Sequence, residues 1–218
     1  MLEKTYIEYI KSDIDDSRAI KELKSVLENR NVVVIVPGSS ATRETNQIKE
    51  YIKEKDAIVV SVNFVHDLID SDYVYMSNTR RYSVMKQNKR VENCKKIITS
   101  NIKIEPDQNE MIISFNELVK CGWNNLDNST IMLLRLLDRF DVKTIAIAGF
   151  DGYDLDVTLN YASDNLELSN VRNNPIELNE EIASMLEDYK KTRKYNVPIE
   201  FITQSRFSKI FEKGSFYD

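Results

Sequence analysis

The residue types that most often carry catalysis or bind metals are scarce in this chain of 218 residues, which contains one histidine and two cysteines. A catalytic triad could be built only on His66, so acid–base chemistry elsewhere must use carboxylates or tyrosines. Cys94 and Cys121 show no metal-ligand spacing, which favours buried free thiols over a zinc site or a disulfide. Asp154 and Asp156 resemble a metal-binding DxD motif only superficially, and we predict no metal site.

Polar residues and glycines stand directly after several short apolar runs. Glycine lets a backbone approach a phosphate or a ribose closely, and free N–H groups at the start of a following helix favour an anion. Asparagine offers a donor and an acceptor on one short arm, which suits a base edge or a sugar hydroxyl, and a guanidinium such as that of Arg80 or Arg81 binds a phosphate through two hydrogen bonds. The candidate binding residues are Gly38, Ser39, Asn63, Asn78, Arg80, Ser100, Asn101, Ser129, Gly149, Asp151 and Tyr153.

Ser129 belongs to a polar run, Asp127-Asn128-Ser129-Thr130, that precedes a stretch of helical apolar spacing. Capping of the helix explains one of these four polar residues. We therefore hypothesise that the N-terminus of this helix receives a carboxylate or a phosphate from a ligand.

Alternating strands and helices must position these candidates. Apolar, mostly β-branched runs predict strands at 32–36, 57–62, 73–77, 96–100, 111–113, 144–148 and 199–202, and helical spacing predicts helices at 17–29, 42–55, 82–93, 129–140 and 175–195. Uninterrupted apolar strands are typical of a parallel sheet buried on both faces, and the alternation implies crossover connections. The sequence therefore predicts an α/β, Rossmann-like fold with a largely parallel sheet, helices on both faces and a ligand site beyond the carboxyl ends of the strands.

Composition limits the domain organisation and the partners. No linker or internal repeat divides the chain, so we predict one Rossmann-like domain at 31–218 after a helical lead-in at 1–30. A net charge of −5 argues against a nucleic-acid partner. No window approaches the roughly 18 to 20 apolar residues of a membrane span, and the polar, acidic start is unlike a signal peptide. We therefore expect a cytoplasmic protein without a transmembrane segment.

Charge is distributed unevenly along the chain. The segment 78–96 has seven basic residues and one acidic residue, and the segment 151–188 has ten acidic residues and one basic residue. Most of these side chains are expected on solvated helix faces.

The motifs PGSS, SVNF, MSNTRRY, TSN, DNSTIMLL and IAGFDGY follow one another between residues 31 and 153. In order and spacing they resemble the Rossmann-like domain of bacterial lipooligosaccharide sialyltransferases. That domain carries a Gly-Pro-Ser turn, an Asn after each of the next two strands, a Ser-Asn, a Thr-Ser-Gly before a helix and a Gly-Ile-Asp-Phe-Tyr turn. A group of domains similar to hydroxymethylpterin pyrophosphokinase shares this layout. The whole chain also resembles the C-terminal region of bacterial polysaccharide-cluster proteins with an HMG-CoA-lyase-like aldolase domain.

The sialyltransferase resemblance implies a glycosyltransferase of bacterial surface polysaccharide biosynthesis that binds a CMP-sugar or a related nucleotide-sugar donor without a metal. It places Gly38 and Ser39 at the phosphate turn, Asn63 and Asn78 near the phosphate and ribose, Ser100 and Asn101 beside the sugar, Ser129 near the nucleotide or the donor carboxylate, and Gly149, Asp151 and Tyr153 around the cytidine and donor.

One feature of that family has no counterpart in this chain. The family's catalytic base is a histidine well after the last motif, and residues 154–174 contain no histidine. His66 follows the second strand and is predicted to be a partly exposed helix residue, so it does not replace that base. Asp154, Tyr161 or Asp164 could act as the base in its place, since a carboxylate can accept the proton of a sugar hydroxyl.

Two further functions stay open. The chain could be a non-catalytic module that binds a small phosphorylated ligand or docks an aldolase-type enzyme domain through its acidic C-terminal half. It could also be a pterin pyrophosphokinase-like phosphotransferase, which needs ATP and Mg²⁺ and requires Asp151, Asp154 and Asp156 to converge on the ion. A homo-oligomer is compatible with each of these functions.

Overall fold

A computed structural model describes residues 4, 7, 14–92, 94–103, 109–156, 160–162 and 174–212. The strands of the described residues are β1 Asn31–Ile35, β2 Ile58–Val62, β3 Tyr73–Met76, β4 Lys95–Thr99, β5 Glu110–Ile113, β6 Thr144–Ala148 and β7 Ile199–Phe201. They form one sheet of seven parallel strands in the order β5-β4-β3-β2-β1-β6-β7. The predicted α/β fold with a parallel sheet is confirmed.

Helices cover both faces of the sheet, as the sequence predicts. The helices are α1 Ser17–Leu27, α2 Ser39–Arg43, α3 Thr45–Lys55, α4 Thr79–Met85, α5 Lys89–Glu92, α6 Ser129–Leu137 and α7 Pro175–Thr192. Val32 and Val34 of β1 belong to an apolar cluster that includes buried residues of α1, α6 and α7, whereas Val33 and Ile35 belong to a second cluster with residues of α2 to α5. Successive strand residues point to opposite faces, so the two clusters are the two sides of one sheet.

Two of the predicted helices are each divided in the structure. The helix expected at 42–55 starts earlier, and it is interrupted at Glu44, where Thr45 Oγ1 donates to the carbonyl oxygens of Ala41 and Thr42 rather than to solvent. A threonine hydroxyl that bonds backward in this way competes with regular helix geometry. The helix expected at 82–93 likewise becomes α4 and α5 and starts early, because Asn78 caps it by accepting a hydrogen bond from Arg81 N.

The strand order reverses at β1, which lies between β2 and β6. The chain leaves β1 toward α2 and α3 on one face of the sheet and leaves β6 toward α7 on the other. In an open parallel sheet this arrangement opens a crevice beyond the carboxyl ends of the two strands, and ligands bind preferentially there. None of the helices in the described part of the chain is long and apolar enough to cross a membrane.

Glycines allow the turns after β1 and β6 to meet. A Cβ atom on Gly38 would lie 2.3 Å from the carbonyl oxygen of Gly149, and a Cβ atom on Gly149 would lie 2.1 Å from the carbonyl oxygen of Val36. Gly149 also has a φ of 75°, a conformation that side chains other than glycine rarely adopt. These glycines therefore let two backbones approach each other, whether or not a ligand is bound.

Three glycine-to-alanine substitutions separate steric contact from backbone conformation. Gly122 has a φ of 107° and open space around its position, and Gly38 has an ordinary φ but a close neighbour. We expect Gly122→Ala to lower the free energy of unfolding by about 1 kcal/mol, and Gly38→Ala and Gly149→Ala by about 3 kcal/mol or more. Urea denaturation measures these values, and equal losses for all three variants would show that the turns do not need to touch.

Candidate functional site

The turns that follow β1 and β6 are joined by backbone hydrogen bonds. Val36 N donates to Ala148 O at 2.8 Å, and Gly38 N donates to Gly149 O at 2.8 Å. Two of the predicted groups of strand-end residues, which lie more than 100 positions apart in the chain, are thus adjacent at the point where the strand order reverses.

Asp151 binds the N-terminus of α2. Its Oδ2 accepts a hydrogen bond from Ser40 N at 2.8 Å and lies 3.3 Å from Ser39 Oγ, and its Oδ1 accepts from Ser40 Oγ. Thr203 Oγ1 completes this group, because it accepts from Gly149 N at 2.9 Å. The helix end at which the sequence predicts a phosphate therefore already bonds a carboxylate of the chain itself, and the predicted phosphate contact of Ser39 stays a prediction.

A cleft of about 380 Å³ opens beside this carboxylate. Of the residues predicted from sequence it includes Ser39, Asp151 and Asp154. Its other lining residues are not among the predicted candidates. Arg43 lies within a predicted helix, Gly152 lies in the IAGFDGY turn, Asn160 lies in a loop without a periodic pattern, and Gln204, Ser205 and Arg206 follow the last predicted strand.

The cleft carries both positive and negative side chains. Arg206 Nη2 lies 2.8 Å from Asp154 Oδ2, and the two side chains are 55% and 44% exposed. Arg43 Nη1 donates to Ser39 Oγ at 2.7 Å. Asn160 Oδ1 accepts from Asp154 N at 2.5 Å, which holds the backbone of the cleft wall. The two guanidinium groups can bind a phosphate, and the carboxylate and amide groups can bind hydroxyls.

The polar residues after β3 and β4 form a separate hydrogen-bonded group. Ser77 Oγ lies 2.7 Å from Ser129 Oγ, and Asn101 Nδ2 donates to Ser77 O at 3.1 Å. Ser100 Oγ accepts from Phe115 N at 3.0 Å. The structure therefore joins Asn101 and Ser129 through Ser77, whereas Ser100 bonds the chain after β5, and none of these three predicted residues lines the cleft described above. Arg80 is exposed on α4 and is likewise not part of that lining.

The polar run before α6 is explained largely by structural roles. Asn128 is the cap, because its Oδ1 accepts from Thr130 N at 2.9 Å. Asp127 forms an ion pair with Arg135, and their side chains are only 1% and 11% exposed. Ser129 bonds Ser77, as described above. From the sequence, four polar residues exceed what a helix cap needs. The buried ion pair with Arg135 accounts for Asp127, and the local sequence does not reveal this pair.

Asn63 stands at the carboxyl end of β2 in a left-handed conformation with a φ of 59°. Its N donates to Tyr75 O at 2.9 Å. Its Oδ1 is buried, and no donor for it is found among the residues that the structure describes. A buried acceptor without a donor costs about 1 to 3 kcal/mol, so a hydroxyl or amine of a ligand would find a favourable partner at the strand next to β1.

Tyr153 and Tyr161 meet near Arg81. The two rings lie edge to face with centroids 6.1 Å apart, and Arg81 is 8% exposed. Asn179 holds the backbone of Tyr153 through two hydrogen bonds of 2.8 Å. Burial raises the pKa of the Tyr153 hydroxyl, and a hydrogen bond with Tyr161 opposes this shift. The Tyr153 hydroxyl is thus protonated and uncharged at neutral pH. The third candidate base, Asp164, lies outside the described residues.

His66 is buried in the loop after β2, and the expectation of a partly exposed helix residue is wrong. The side chain is in contact with the chain on all sides, and the residue is 3% exposed. Both ring nitrogens are within hydrogen-bond distance of protein atoms. One cysteine also differs from expectation, since Cys94 is buried but Cys121 is exposed.

The carboxylates that a magnesium-dependent transferase needs do not converge. Asp151 bonds the start of α2, Asp154 pairs with Arg206, and Asp156 N donates to Asp154 Oδ1 at 3.2 Å. Within the described ranges no group of three or more His, Cys, Asp or Glu side chains could hold a metal ion. The geometry therefore does not favour the pterin pyrophosphokinase-like alternative.

No protein-family model matches the chain, and a search of curated proteins finds no match either.

Replacing Asp151 by Asn tests whether its carboxylate supports the fold. Asparagine offers one carbonyl oxygen in place of two carboxylate oxygens and no charge to the helix end, so we expect the free energy of unfolding to fall by about 1 to 3 kcal/mol. Asp56→Asn is the matched control, since Asp56 forms an exposed ion pair with Arg30 that is worth at most about 1 kcal/mol. Urea denaturation of both variants gives the comparison, and an unchanged stability of Asp151→Asn would refute the structural role.

Proposed function

We propose that the chain is a nucleotide-sugar-binding domain of the glycosyltransferase type, and that the ligand binds in the cleft beyond the carboxyl ends of β1 and β6. The observation that carries the proposal is the position of this cleft at the reversal of the strand order, which is the preferred ligand site of open α/β sheets. Its volume of about 380 Å³ falls within the usual range of small-molecule sites, about 300 to 1,000 Å³.

The charges of the cleft support a ligand with both anionic and hydroxyl groups. Asp151 is already bonded to Ser39 and Ser40, so the cleft would not attract a bare cation strongly through that residue. Arg43 and Arg206 can bind phosphate oxygens, and Asp154 can accept hydrogen bonds from hydroxyls. A nucleotide-sugar carries both kinds of group. The assignment to CMP-sugars and to bacterial surface polysaccharide biosynthesis is part of the proposal and comes from the resemblance to sialyltransferases.

The reaction we propose is a direct displacement at the anomeric carbon. A hydroxyl oxygen of the acceptor forms the new bond to that carbon, and the bond from the carbon to the phosphate oxygen of the nucleotide breaks. The hydroxyl proton passes to the carboxylate of Asp154, and the nucleotide leaves with the bonding electron pair. Arg43 and Arg206 would stabilise the negative charge that develops on the departing phosphate.

Calorimetric titration with CMP, CDP, UDP and GDP tests the binding site. We expect at least one nucleotide to bind, and Arg206→Gln to weaken that binding about tenfold or more, since a hydrogen bond to a charged group is worth about 1.5 to 3 kcal/mol. Arg30→Gln is the matched control, because Arg30 is a similarly exposed, ion-paired arginine. It stands just before β1, at the amino ends of the strands and away from the cleft. A failure of all four nucleotides to bind would contradict the proposal.

A non-catalytic module is the second candidate function, and the burial of His66 favours it. The only histidine of the chain has both ring nitrogens engaged within the fold, so it cannot serve as the base that the resembled family uses. In this case the cleft would bind the nucleotide ligand without turnover, and docking of an aldolase-type enzyme domain would be the biological role.

Asp154→Asn distinguishes the two functions. If the chain is a transferase, we expect turnover of a CMP-sugar to fall by about 100-fold or more, because general-base catalysis contributes about 10² to 10⁴ in rate. Nucleotide affinity should not fall, since loss of the carboxylate leaves its partner Arg206 available to the phosphate. Asp56→Asn again provides the matched carboxylate replacement. Nucleotide binding without measurable turnover by the unaltered protein would favour the module.

A further inference from the structure

His66 connects the loop after β2 to the junction between α2 and α3. Its Nε2 lies 3.1 Å from Ala41 O and 3.3 Å from Thr45 Oγ1, and its Nδ1 accepts a hydrogen bond from Leu68 N at 3.0 Å. Ala41 belongs to α2, and Thr45 is the first residue of α3. The imidazole therefore ties together two helices and a loop that pack on the same face of the sheet.

The partners of the ring determine its protonation. Leu68 N–H can only donate, so Nδ1 must carry a lone pair, and Ala41 O can only accept, so Nε2 must carry the proton. The ring is thus neutral with its proton on Nε2. Protonation of Nδ1 would remove the acceptor of Leu68 N–H and place a positive charge in a buried position, so the observed arrangement exists only for the neutral ring.

The helix that His66 holds also supplies the wall of the cleft. Ser39 and Arg43 are the first and last residues of α2 and both line the cleft, and Ser40 bonds Asp151. A helix of five residues has few hydrogen bonds of its own, so its position depends on its neighbours. Its contacts include Asp151 and Thr203 at Ser40 near its start, and His66 at Ala41 near its end.

We propose that His66 is a positioning residue for the cleft, whose neutral ring keeps α2 and its Ser39 and Arg43 in place, and whose protonation releases them. This role concerns the geometry of the cleft. Only its effect on ligand affinity depends on the proposed nucleotide-binding function.

The charges around His66 act in both directions. Lys49 of α3 and Arg90 of α5 disfavour a charged ring, and Asp67 in the same loop favours it. Burial is the largest influence, and it lowers the pKa of His66 below its ordinary value of about 6.5. In the unfolded chain the ring takes up a proton near that ordinary value. The contribution of His66 to stability is therefore full above about pH 6.5 and is lost as the pH falls toward the lower pKa of the folded state.

An NMR titration of the full chain between pH 7.5 and pH 4.5 tests the coupling without any ligand. The single histidine gives one set of ring resonances, and we expect its midpoint below 6.5. We expect the backbone amide resonances of Ser40, Ala41 and Arg43 to shift with the same midpoint. The amides of Lys143 and Thr144, at the amino end of β6, should show no such step. Amides of α2 that ignore the titration of the ring would overturn the proposal.

His66→Gln separates the titration of the ring from its structural contact with α2. The glutamine amide can donate to Ala41 O as Nε2–H does, but it does not titrate. We expect Arg43 and Ser40 amides of this variant to lose their shift between pH 7 and pH 5, and the loss of unfolding free energy on acidification to become smaller. A pH-dependent step of the same size in His66→Gln would overturn the proposal.

Ligand affinity provides the readout that links the ring to the cleft. With the methyl ester of CMP as the probe, a phosphodiester whose single negative charge does not titrate in this range, we expect binding by the unaltered protein to weaken about tenfold from pH 7 to pH 5 and binding by His66→Gln to stay within about twofold. A parallel loss in both proteins would overturn the link. If this ester and the nucleotides fail to bind at pH 7, the proposed function fails, while the amide titration still decides the role of His66.

Discussion

The contact between the backbones that follow β1 and β6 is the constraint on which the rest of the candidate site depends. The hydrogen bond from Gly38 N to Gly149 O requires two turns to approach within a distance that excludes a Cβ atom on either side. Only this approach lets Asp151 reach the start of α2, and the same carboxylate then forms one wall of the cleft. The chain has only five glycines, and two of them lie at the reversal of the strand order. Packing explains both of these glycines before any ligand is considered.

The cleft consequently differs from a phosphate site made by the N–H groups of a glycine-rich turn. The start of α2 bonds the carboxylate of Asp151, so an incoming anion would rely on the guanidinium groups of Arg43 and Arg206. These side chains are held by Ser39 and Asp154, which places donors and acceptors side by side in one cleft. Such a mixture suits a ligand that combines a phosphate with sugar hydroxyls. It also means that Asp151 is a poor residue for testing catalysis, because its replacement removes a support of the fold.

The fold could be predicted from the sequence because its strands are uninterrupted apolar runs. Runs such as VVVIV and TIAIA are apolar on both faces, which happens in parallel sheets covered by helices, and the glycines and asparagines mark where the strands end. The cleft could be predicted only in part. Arg206 and Asn160 lie in loops whose sequence has no period, and the pairing of Asp151 with Ser40 joins residues 111 positions apart. His66 could not be placed either, because nothing in its local sequence shows that α2 would cover it. Long-range packing decides these positions.

The most direct test of the proposed nucleotide site in the cleft is a crystal structure of the chain grown with CMP. We expect density for the nucleotide beyond the carboxyl ends of β1 and β6, with a phosphate oxygen within hydrogen-bond distance of Arg43 or Arg206. Nucleotide bound at the group formed by Ser77, Asn101 and Ser129, or at a surface remote from the reversal of the strand order, would contradict it.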